Sequence, residues 1–187
     1  MRLFTAVQLP AATQSHLAGV IESLRPHPRL KDAASFVSAH TLHVTLKFIG
    51  DVDEDRVPLL IESFRTLTVP AMPFNVERFL VLPGQGPARV LAVNVTRDLA
   101  PITSLFTQIE SACQPLGVSR EAREYKPHLT LARFRRPSNR LTAMSLVRMI
   151  DPSLLPAPSF TATGFTLFRS EFAPTGAIHT PLATFGI

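Results

Sequence analysis

The chain has 187 residues, of which 45% are hydrophobic, and this length is enough to bury the core of one domain or of two small lobes. Its formal charge is +5, from 19 Lys and Arg against 14 Asp and Glu, which favours an anionic partner. The single cysteine, Cys113, excludes an internal disulfide and any zinc site built on several cysteines.

The sequence contains no visible membrane-spanning segment or export signal. The apolar stretch over residues 1–10 is too short to cross a bilayer, and no cleavage-site pattern follows it. We therefore expect a cytoplasmic, monomeric protein without a membrane partner. The prolines stand mostly at the borders of predicted elements and no flexible linker interrupts them, so the whole chain, residues 1–187, is expected to form one compact domain.

The first part of the chain alternates between strand and helix patterns. Residues 3–9 predict a strand, and the next apolar stripe, Leu17, Val20, Ile21 and Leu24, has helical spacing. A second strand is predicted to end at Gly50. The acids of residues 51–55 then suit the start of a helix, whose apolar positions are Val57, Leu60, Ile61 and Phe64. Residues 74–82 predict a half-buried strand.

The same order of elements returns after the turn at residues 83–87. Residues 89–95 predict a strand, and Asp98 is placed to cap a helix with the apolar stripe Leu99, Ile102, Leu105, Phe106, Ile109 and Cys113. A strand, a short helix over 141–150 and strands over 160–168 and 178–185 complete the pattern. This degenerate repeat, of about 1–82 and 89–187, predicts a bilobal α+β fold. Its two pseudo-symmetric lobes are each expected to have a mainly antiparallel sheet and outer helices.

The tetrapeptide HVTL, which begins at His43, returns as HLTL at His128. Each copy lies in an apolar alternation typical of a strand, where successive side chains point to opposite faces. His43 and Thr45 are thus predicted to share one face, as are His128 and Thr130. The apolar neighbours predicted to turn toward the core are Leu42, Val44, Leu46, Phe48, Leu129 and Leu131. The repetition predicts that the two polar pairs face one central cleft.

Two such pairs suit chemistry on a phosphate ester. Side chains on one face of a strand lie roughly 6–7 Å apart, so an imidazole and a hydroxyl can reach the same tetrahedral anion. Near neutral pH, one imidazole can accept a proton while another donates one. Threonine hydroxyls can donate hydrogen bonds to oxygens on which negative charge develops. This chemistry requires neither a metal nor another cofactor.

Structural roles compete with this interpretation. Either copy alone is more often a cross-strand polar pair, and only the repetition favours function. A zinc site is the rival chemical hypothesis, but neither motif contains an acid or a third histidine at ligand spacing. The remaining histidines, His16, His27, His40 and His179, have no evident partners and are expected to be structural.

The quoted residues resemble a known family. The segments RLFTAVQLP (2–10), LHVTLKFIG within 38–50, YKPHLTLAR (125–133) and FTLFRSEFAPTGAIHTPLATF (165–185) are similar to the bacterial and archaeal RNA 2′,3′-cyclic phosphodiesterases. These are also called the 2′-5′ RNA ligase family and lie within the two-histidine phosphoesterases. The similarity covers nearly the whole chain. One departure is Ser35-Phe36-Val37, where relatives often have a tryptophan, and it affects expected rim contacts rather than the chemistry.

The resemblance implies a bilobal enzyme without cofactor that hydrolyses a cyclic phosphate at an RNA end and leaves a 2′-phosphate. It assigns acid–base roles to His43 and His128, phosphate binding to Thr45 and Thr130, and a substrate contact to Arg133. It further suggests His128 as the base and His43 as the acid. The implied partners are RNA ends or nucleotides with a 2′,3′-cyclic phosphate, including tRNA halves.

Two alternatives stay open at this point. The protein could act on other small nucleotide esters or on 2′-5′ linked oligonucleotides, since the same site would serve them. It could instead bind RNA ends or ligate tRNA halves, with turnover incidental. Activity against a panel of substrates distinguishes the first alternative from hydrolysis of cyclic phosphates at RNA ends. Binding of RNA ends that survives loss of both histidines would support the second.

The surroundings of the second motif are basic. Seven of the 19 Lys and Arg residues lie between positions 120 and 140, which predicts a positive field suited to phosphate groups. Tyr125 and Arg133 are candidates to stack on an unpaired base. Strict alternation would turn Arg133 away from His128, so its site role requires a bulge or a strand end there. Lys47 is expected to be a solvated lysine.

Overall fold

The computed structural model describes residues 1–83, 85–95, 98–173 and 176–186, without the side chains of residues 137, 138, 140–143 and 146. Within these residues the strands are β1 (Arg2–Gln8), β2 (Ala34–Phe36), β3 (His43–Asp51), β4 (Met72–Phe74), β5 (Phe79–Leu82), β6 (Ala88–Asn94), β7 (His128–Ser138), β8 (Phe160–Ala162), β9 (Gly164–Ala173) and β10 (Gly176–Gly186). The α-helices are α1 (Ala11–Leu24), α2 (Val57–Arg65), α3 (Ala100–Cys113) and α4 (Arg140–Met149).

One large sheet organises the molecule. Its strand order is β10-β9-β1-β3-β7-β6-β5, with β2 also paired to β7, and a separate two-stranded sheet joins β4 to β8. The pairings within both sheets are antiparallel. The predicted α+β fold with mainly antiparallel sheet is therefore confirmed.

The two motif strands are neighbours at the centre of this sheet. Among the described residues, β3 and β7 pair only through Val44 and Leu129. This pair joins a half-sheet of β10, β9, β1 and β3 to a half-sheet of β7, β6, β5 and β2. Each half-sheet takes strands from both parts of the sequence. The half-sheets therefore do not correspond to residues 1–82 and 89–187, and the internal repeat of these two segments stays a prediction.

The helices pack on the face of the sheet that carries the alternating apolar residues. The stripe predicted on α1 is buried, as are Ile102, Leu105, Ile109 and Cys113 of α3. They belong to one continuous core with Val44, Leu46, Leu129 and Leu131. The histidine–threonine pairs are thereby left on the opposite face. No helix in the described ranges is long and apolar enough to cross a membrane.

Two predicted strands are each divided in the structure. The strand expected over residues 74–82 is β4 and β5, because the side-chain oxygen of Asn94 accepts hydrogen bonds from the backbone N–H groups of Glu77 (3.0 Å) and Arg78 (2.8 Å) and holds a loop there. The strand expected over 160–168 is β8 and the start of β9, which belong to different sheets. Both divisions depend on partners remote in the sequence.

Candidate active site

The structure brings the four motif residues together. Val44 and Leu129 are an antiparallel pair, so their chain neighbours, His43 and Thr45 on β3 and His128 and Thr130 on β7, lie on either side of this pair. Their side chains are half-buried, on the face of the sheet away from the core. Electrostatic interaction with His128 lowers the pKa of His43, so the two imidazoles are close enough to act on each other.

Both histidines are fixed through the same ring nitrogen. Nδ1 of His43 lies 2.7 Å from the carbonyl oxygen of Thr41, and Nδ1 of His128 lies 2.7 Å from that of Lys126. A carbonyl oxygen only accepts, so each Nδ1 must carry and donate the hydrogen. In the neutral ring the other nitrogen, Nε2, then has a lone pair that is available for a proton.

The surroundings keep both imidazoles neutral before a substrate binds. Burial is the main cause that lowers the pKa of His43 to about 4, against the hydrogen bond to Thr41, and electrostatic interactions with His179, Arg133 and His128 lower it further. Burial also lowers the pKa of His128, with a smaller effect of Arg133. An anionic phosphate between the rings acts in the opposite direction, because an opposite charge favours the protonated form.

Strand β3 contains a β-bulge directly after its histidine–threonine pair. The register against β1 passes from Thr45 to Lys47, so Leu46 has no partner of its own. A bulge interrupts the alternation of side chains, and Lys47 is consequently only 4% exposed, whereas Phe48 is 63% exposed. The expectations of a solvated Lys47 and a buried Phe48 are wrong, because both assumed strict alternation.

The buried ammonium group of Lys47 has its own partners. It donates one hydrogen bond to the carboxylate of Glu110 on α3. It donates another to the backbone carbonyl oxygen of Ser119, which lies 2.9 Å from Nζ. The same carboxylate accepts from the backbone N–H of Glu121 at 3.2 Å. These bonds fix the loop over residues 117–127, which leads into β7 and hence to the second histidine.

Strand β7 carries a matching bulge after the second pair. Its register against β6 passes from Thr130 to Ala132 and leaves Leu131 without a partner. Ala132 is fully buried and Arg133 is exposed. The bulge that a site role for Arg133 requires is therefore present, and its positive charge acts on both histidines.

Tyr125 lies behind the site. Its hydroxyl donates to the backbone carbonyl of Thr45 at 2.9 Å, and its ring stacks on Phe106 with centroids 4.3 Å apart and an interplanar angle of 3°. Burial raises the pKa of this phenol. These contacts correct the expectation that Tyr125 stacks on a base, because Phe106 already covers one face of its ring, and they give the side chain a positioning role instead.

One residue beside the site was missed by sequence reasoning. The ring of His179, which was expected to be structural, lies 5.3 Å from the ring of His43. Both rings line a pocket together with His40, Phe4 and Phe168. Nothing in the spacing of the sequence indicates this contact, since it depends on the position that β10 takes relative to β3 within the first half-sheet.

The other histidines make contacts away from this pocket. Nε2 of His16 lies 2.9 Å from the carbonyl oxygen of Leu154, and Nδ1 of His27 accepts from the backbone N–H of Arg29 at 3.3 Å. Among the residues that the structure describes, no group of three or more His, Cys, Asp or Glu is arranged to hold a metal ion.

Several basic side chains lie on strand β7 and in the loop before it. Arg133, Arg135 and Arg136 of β7 are exposed. In the preceding loop, Arg123 and Lys126 form exposed ion pairs with neighbouring glutamates, which partly offset their charge. The exposed guanidinium groups lie on the strand that carries the second motif, and the positive field expected in this region stays a prediction.

Two imidazoles with free Nε2 atoms, two hydroxyls and a nearby guanidinium are the groups that acid–base chemistry on a phosphate ester uses. The sequence model of the 2′-5′ RNA ligase superfamily matches residues 13–171. The chain therefore belongs to the 2′-5′ RNA ligase superfamily.

Similar proteins cover nearly the whole chain. A relative from Methanothermobacter thermautotrophicus is 28% identical over 188 residues, covering 99% of this chain and 98% of its own, and one from Thermus thermophilus is 28% identical, covering 100% and 90%. Both are named RNA 2′,3′-cyclic phosphodiesterase. Among solved structures, a Thermus thermophilus protein has a TM-score of 0.76 at 26% identity, and Escherichia coli LigT complexed with 3′-AMP has 0.75 at 25%. Each covers 100% of this chain and 97% of its own.

Proposed function

We propose that this protein hydrolyses 2′,3′-cyclic phosphates at RNA ends to 2′-phosphomonoesters. The observation that carries the proposal is the presence of two imidazoles, His43 and His128, each with Nδ1 bonded to a carbonyl and with no hydrogen bond to Nε2 from the residues that the structure describes. Further support comes from the relatives named RNA 2′,3′-cyclic phosphodiesterase and from the exposed arginines of β7.

The proposed reaction is one displacement at phosphorus. A water molecule attacks the phosphorus atom and the bond to the 3′ oxygen breaks. Nε2 of His128 accepts a proton from the water, and Nε2 of His43 donates one to the departing 3′ oxygen. Because His43 is neutral in the free protein, its proton arrives when the anionic substrate raises its pKa. The roles of acid and base follow the family resemblance.

Two hydroxyls assist this displacement without reacting. Thr45 and Thr130 donate hydrogen bonds to the non-bridging phosphate oxygens, where negative charge grows in the transition state. Arg133 supplies a positive charge on the same face. No step requires a metal ion, and the arginines of β7 favour single-stranded RNA ends, such as those of tRNA halves, over neutral esters.

Turnover of a 2′,3′-cyclic nucleotide by the purified protein tests the proposal. We expect 2′,3′-cyclic AMP to give only the 2′-phosphate, as identified by ³¹P NMR, with the same rate in the presence of EDTA. The double variant His43→Ala, His128→Ala is the control for contaminating activity. A 3′-phosphate product, or loss of activity with EDTA and recovery with zinc, would contradict the mechanism.

The description of the superfamily as 2′-5′ RNA ligases favours a second candidate activity. In it, the 5′-hydroxyl of another RNA replaces water as the nucleophile, and the same imidazoles move the protons. Incubation of tRNA halves with the protein, followed by separation of the products by length, tests it. Formation of a joined RNA with a 2′-5′ linkage is expected if this reaction occurs.

A further inference from the structure

Three aromatic rings contact one another beside the proposed site. The ring of His179 lies 5.3 Å from that of His43 at 88°, and 4.8 Å from that of Phe4 at 73°. Phe4 in turn lies 5.0 Å from His43. Perpendicular contacts at these distances are favourable for aromatic rings, so the imidazole of His43 is held by two other rings.

The histidines of the two motifs differ in this respect. Both have Nδ1 bonded to the carbonyl two residues before them. One hydrogen bond leaves a ring free to rock about that bond. In the part of the chain that the structure describes, ring contacts are recorded for His43 and none for His128. The position of Nε2 in the first half of the site thus depends on its aromatic neighbours.

The surroundings of His179 favour an uncharged imidazole, which can pack against His43 and cover one side of its ring. Its Nδ1 is buried without a hydrogen-bond partner among the described residues. A charged imidazolium would place an unpaired N–H at this position, which is costly. Burial lowers the pKa of His179 and outweighs the opposing effect of the backbone of Ile178. The groups that face His43 from the neighbouring elements are His128 and Arg133 of β7, His40, and His179 itself.

We propose that His179 is a positioning residue for His43. Its ring, together with Phe4, holds the imidazole so that Nε2 faces the phosphate, and it excludes water from that side. The inference rests on the proposed function for its catalytic readout, but the orientation and dryness of His43 can also be measured without turnover.

The test compares His179→Ala, which removes the ring that packs against His43, with His179→Phe, which keeps an aromatic ring but has no ring nitrogen. For the Ala variant we expect kcat on 2′,3′-cyclic AMP to fall about 10-fold, with little change in KM, because positioning rather than binding is lost. We expect the Phe variant to recover most of kcat. Thr180→Ala, a change at the next, exposed residue of the same strand, is the matched control and should behave as wild type.

NMR titration of the His43 ring gives an independent readout. In the wild type we expect its pKa near 4. Both variants lose the electrostatic effect of His179, which is smaller than that of burial, so the pKa should rise slightly in His179→Phe. In His179→Ala, where water also enters, it should rise further, toward the ordinary value of about 6.5. An Ala variant with wild-type kcat and an unchanged His43 titration would overturn the proposal. A folded Phe variant as slow as the Ala variant would also overturn it, since the nitrogen itself would then be needed.

The failure of the proposed function is distinguishable from the failure of this inference. A wild-type protein that does not hydrolyse the cyclic nucleotide would contradict the proposed function. The titration of His43 in the two variants would still show whether His179 excludes water from that ring.

Discussion

The hydroxyl of Tyr125 donates a hydrogen bond to the backbone carbonyl of Thr45, at 2.9 Å, and so joins the loop before β7 to strand β3. The bond crosses between the two parts of the chain that carry the proposed catalytic histidines. Tyr125 is itself held by its stack on Phe106. The relative position of the two motifs thus depends on a side chain that does not face the substrate.

Tyr125→Phe should remove this bond and keep the ring stack. We expect the free energy of unfolding to fall by about 1 kcal/mol, the usual net contribution of one hydrogen bond. A few-fold fall in kcat should accompany it, because the spacing of the motifs is relaxed. Urea denaturation and turnover of a cyclic nucleotide measure the two effects, and Tyr125→Leu, which also loses the stack, should be the weaker protein. Wild-type values for Tyr125→Phe would show that the bond positions nothing.

Replacement of Thr45 or Thr130 by Ala should slow turnover roughly 10 to 1,000-fold, because each change removes one donor to the developing charge. Thr→Ser at either position is the matched control, since it retains the hydroxyl, and should keep most of the activity. The comparison is made from kcat on 2′,3′-cyclic AMP. Equal rates for the Ala and Ser variants would reduce the hydroxyls to a packing role.

The acid and the base can be separated with an activated substrate. His43→Ala and His128→Ala should each slow hydrolysis of the cyclic nucleotide about 100 to 10,000-fold. On a nitrophenyl phosphodiester, whose leaving group needs no proton, the variant without the acid should recover much of its relative rate. We expect recovery for His43→Ala. Recovery for His128→Ala would reverse the assignment, and recovery for neither would mean that the rings only position phosphate.

The stability of the protein should fall on mild acidification. Burial lowers the pKa of His43 to about 4, whereas the unfolded chain titrates near about 6.5. Between these values the unfolded state binds more protons, so the stabilisation is complete above pH ~6.5 and is lost as the pH falls toward ~4. We expect a loss on the order of 2 kcal/mol from this residue. Urea denaturation at neutral and acidic pH should show a weaker dependence in His43→Gln, and an unchanged dependence would contradict the assigned cause.

The buried pair of Lys47 and Glu110 should be sensitive to the loss of one partner. Lys47→Met leaves a carboxylate buried without its cation, which typically costs about 3–5 kcal/mol. The double variant Lys47→Met, Glu110→Leu should recover much of this loss. Glu62→Ala, which breaks the exposed pair with Arg65, is the control and should cost less than about 1 kcal/mol. A single Lys47→Met variant as stable as wild type would show that the carboxylate is not charged there.

The shared face of each histidine–threonine pair could be predicted because strand alternation is a local property. His43 and Thr45 share a face for the same reason as His128 and Thr130, and one antiparallel pairing then brings them together. Most positions of the helical stripes were predicted correctly on similar grounds, since their period is contained in a few turns, but Leu99, before the start of α3, is exposed.

The errors share a different cause. Lys47 and Phe48 exchange sides because β3 bulges where it pairs with β1, and His179 reaches His43 only through the folding of β10. The loop that divides the strand expected over residues 74–82 is held by Asn94, on another strand. Each of these features depends on a partner distant in the chain, and periodicity carries no information about that partner.

The single backbone pairing of Val44 with Leu129 has a mechanical consequence. A sheet joined by one rung can pivot there, and a small change in the angle between its halves moves the two Nε2 atoms apart without breaking either histidine's bond to its carbonyl. Tyr125 and Lys47 connect β3 with the loop before β7, since Tyr125 of the loop donates to the carbonyl of Thr45 and Lys47 of β3 donates to that of Ser119. The distance between the two Nε2 atoms, and hence the space for a phosphate, therefore depends on these two hydrogen bonds as well as on the side chains that line the site.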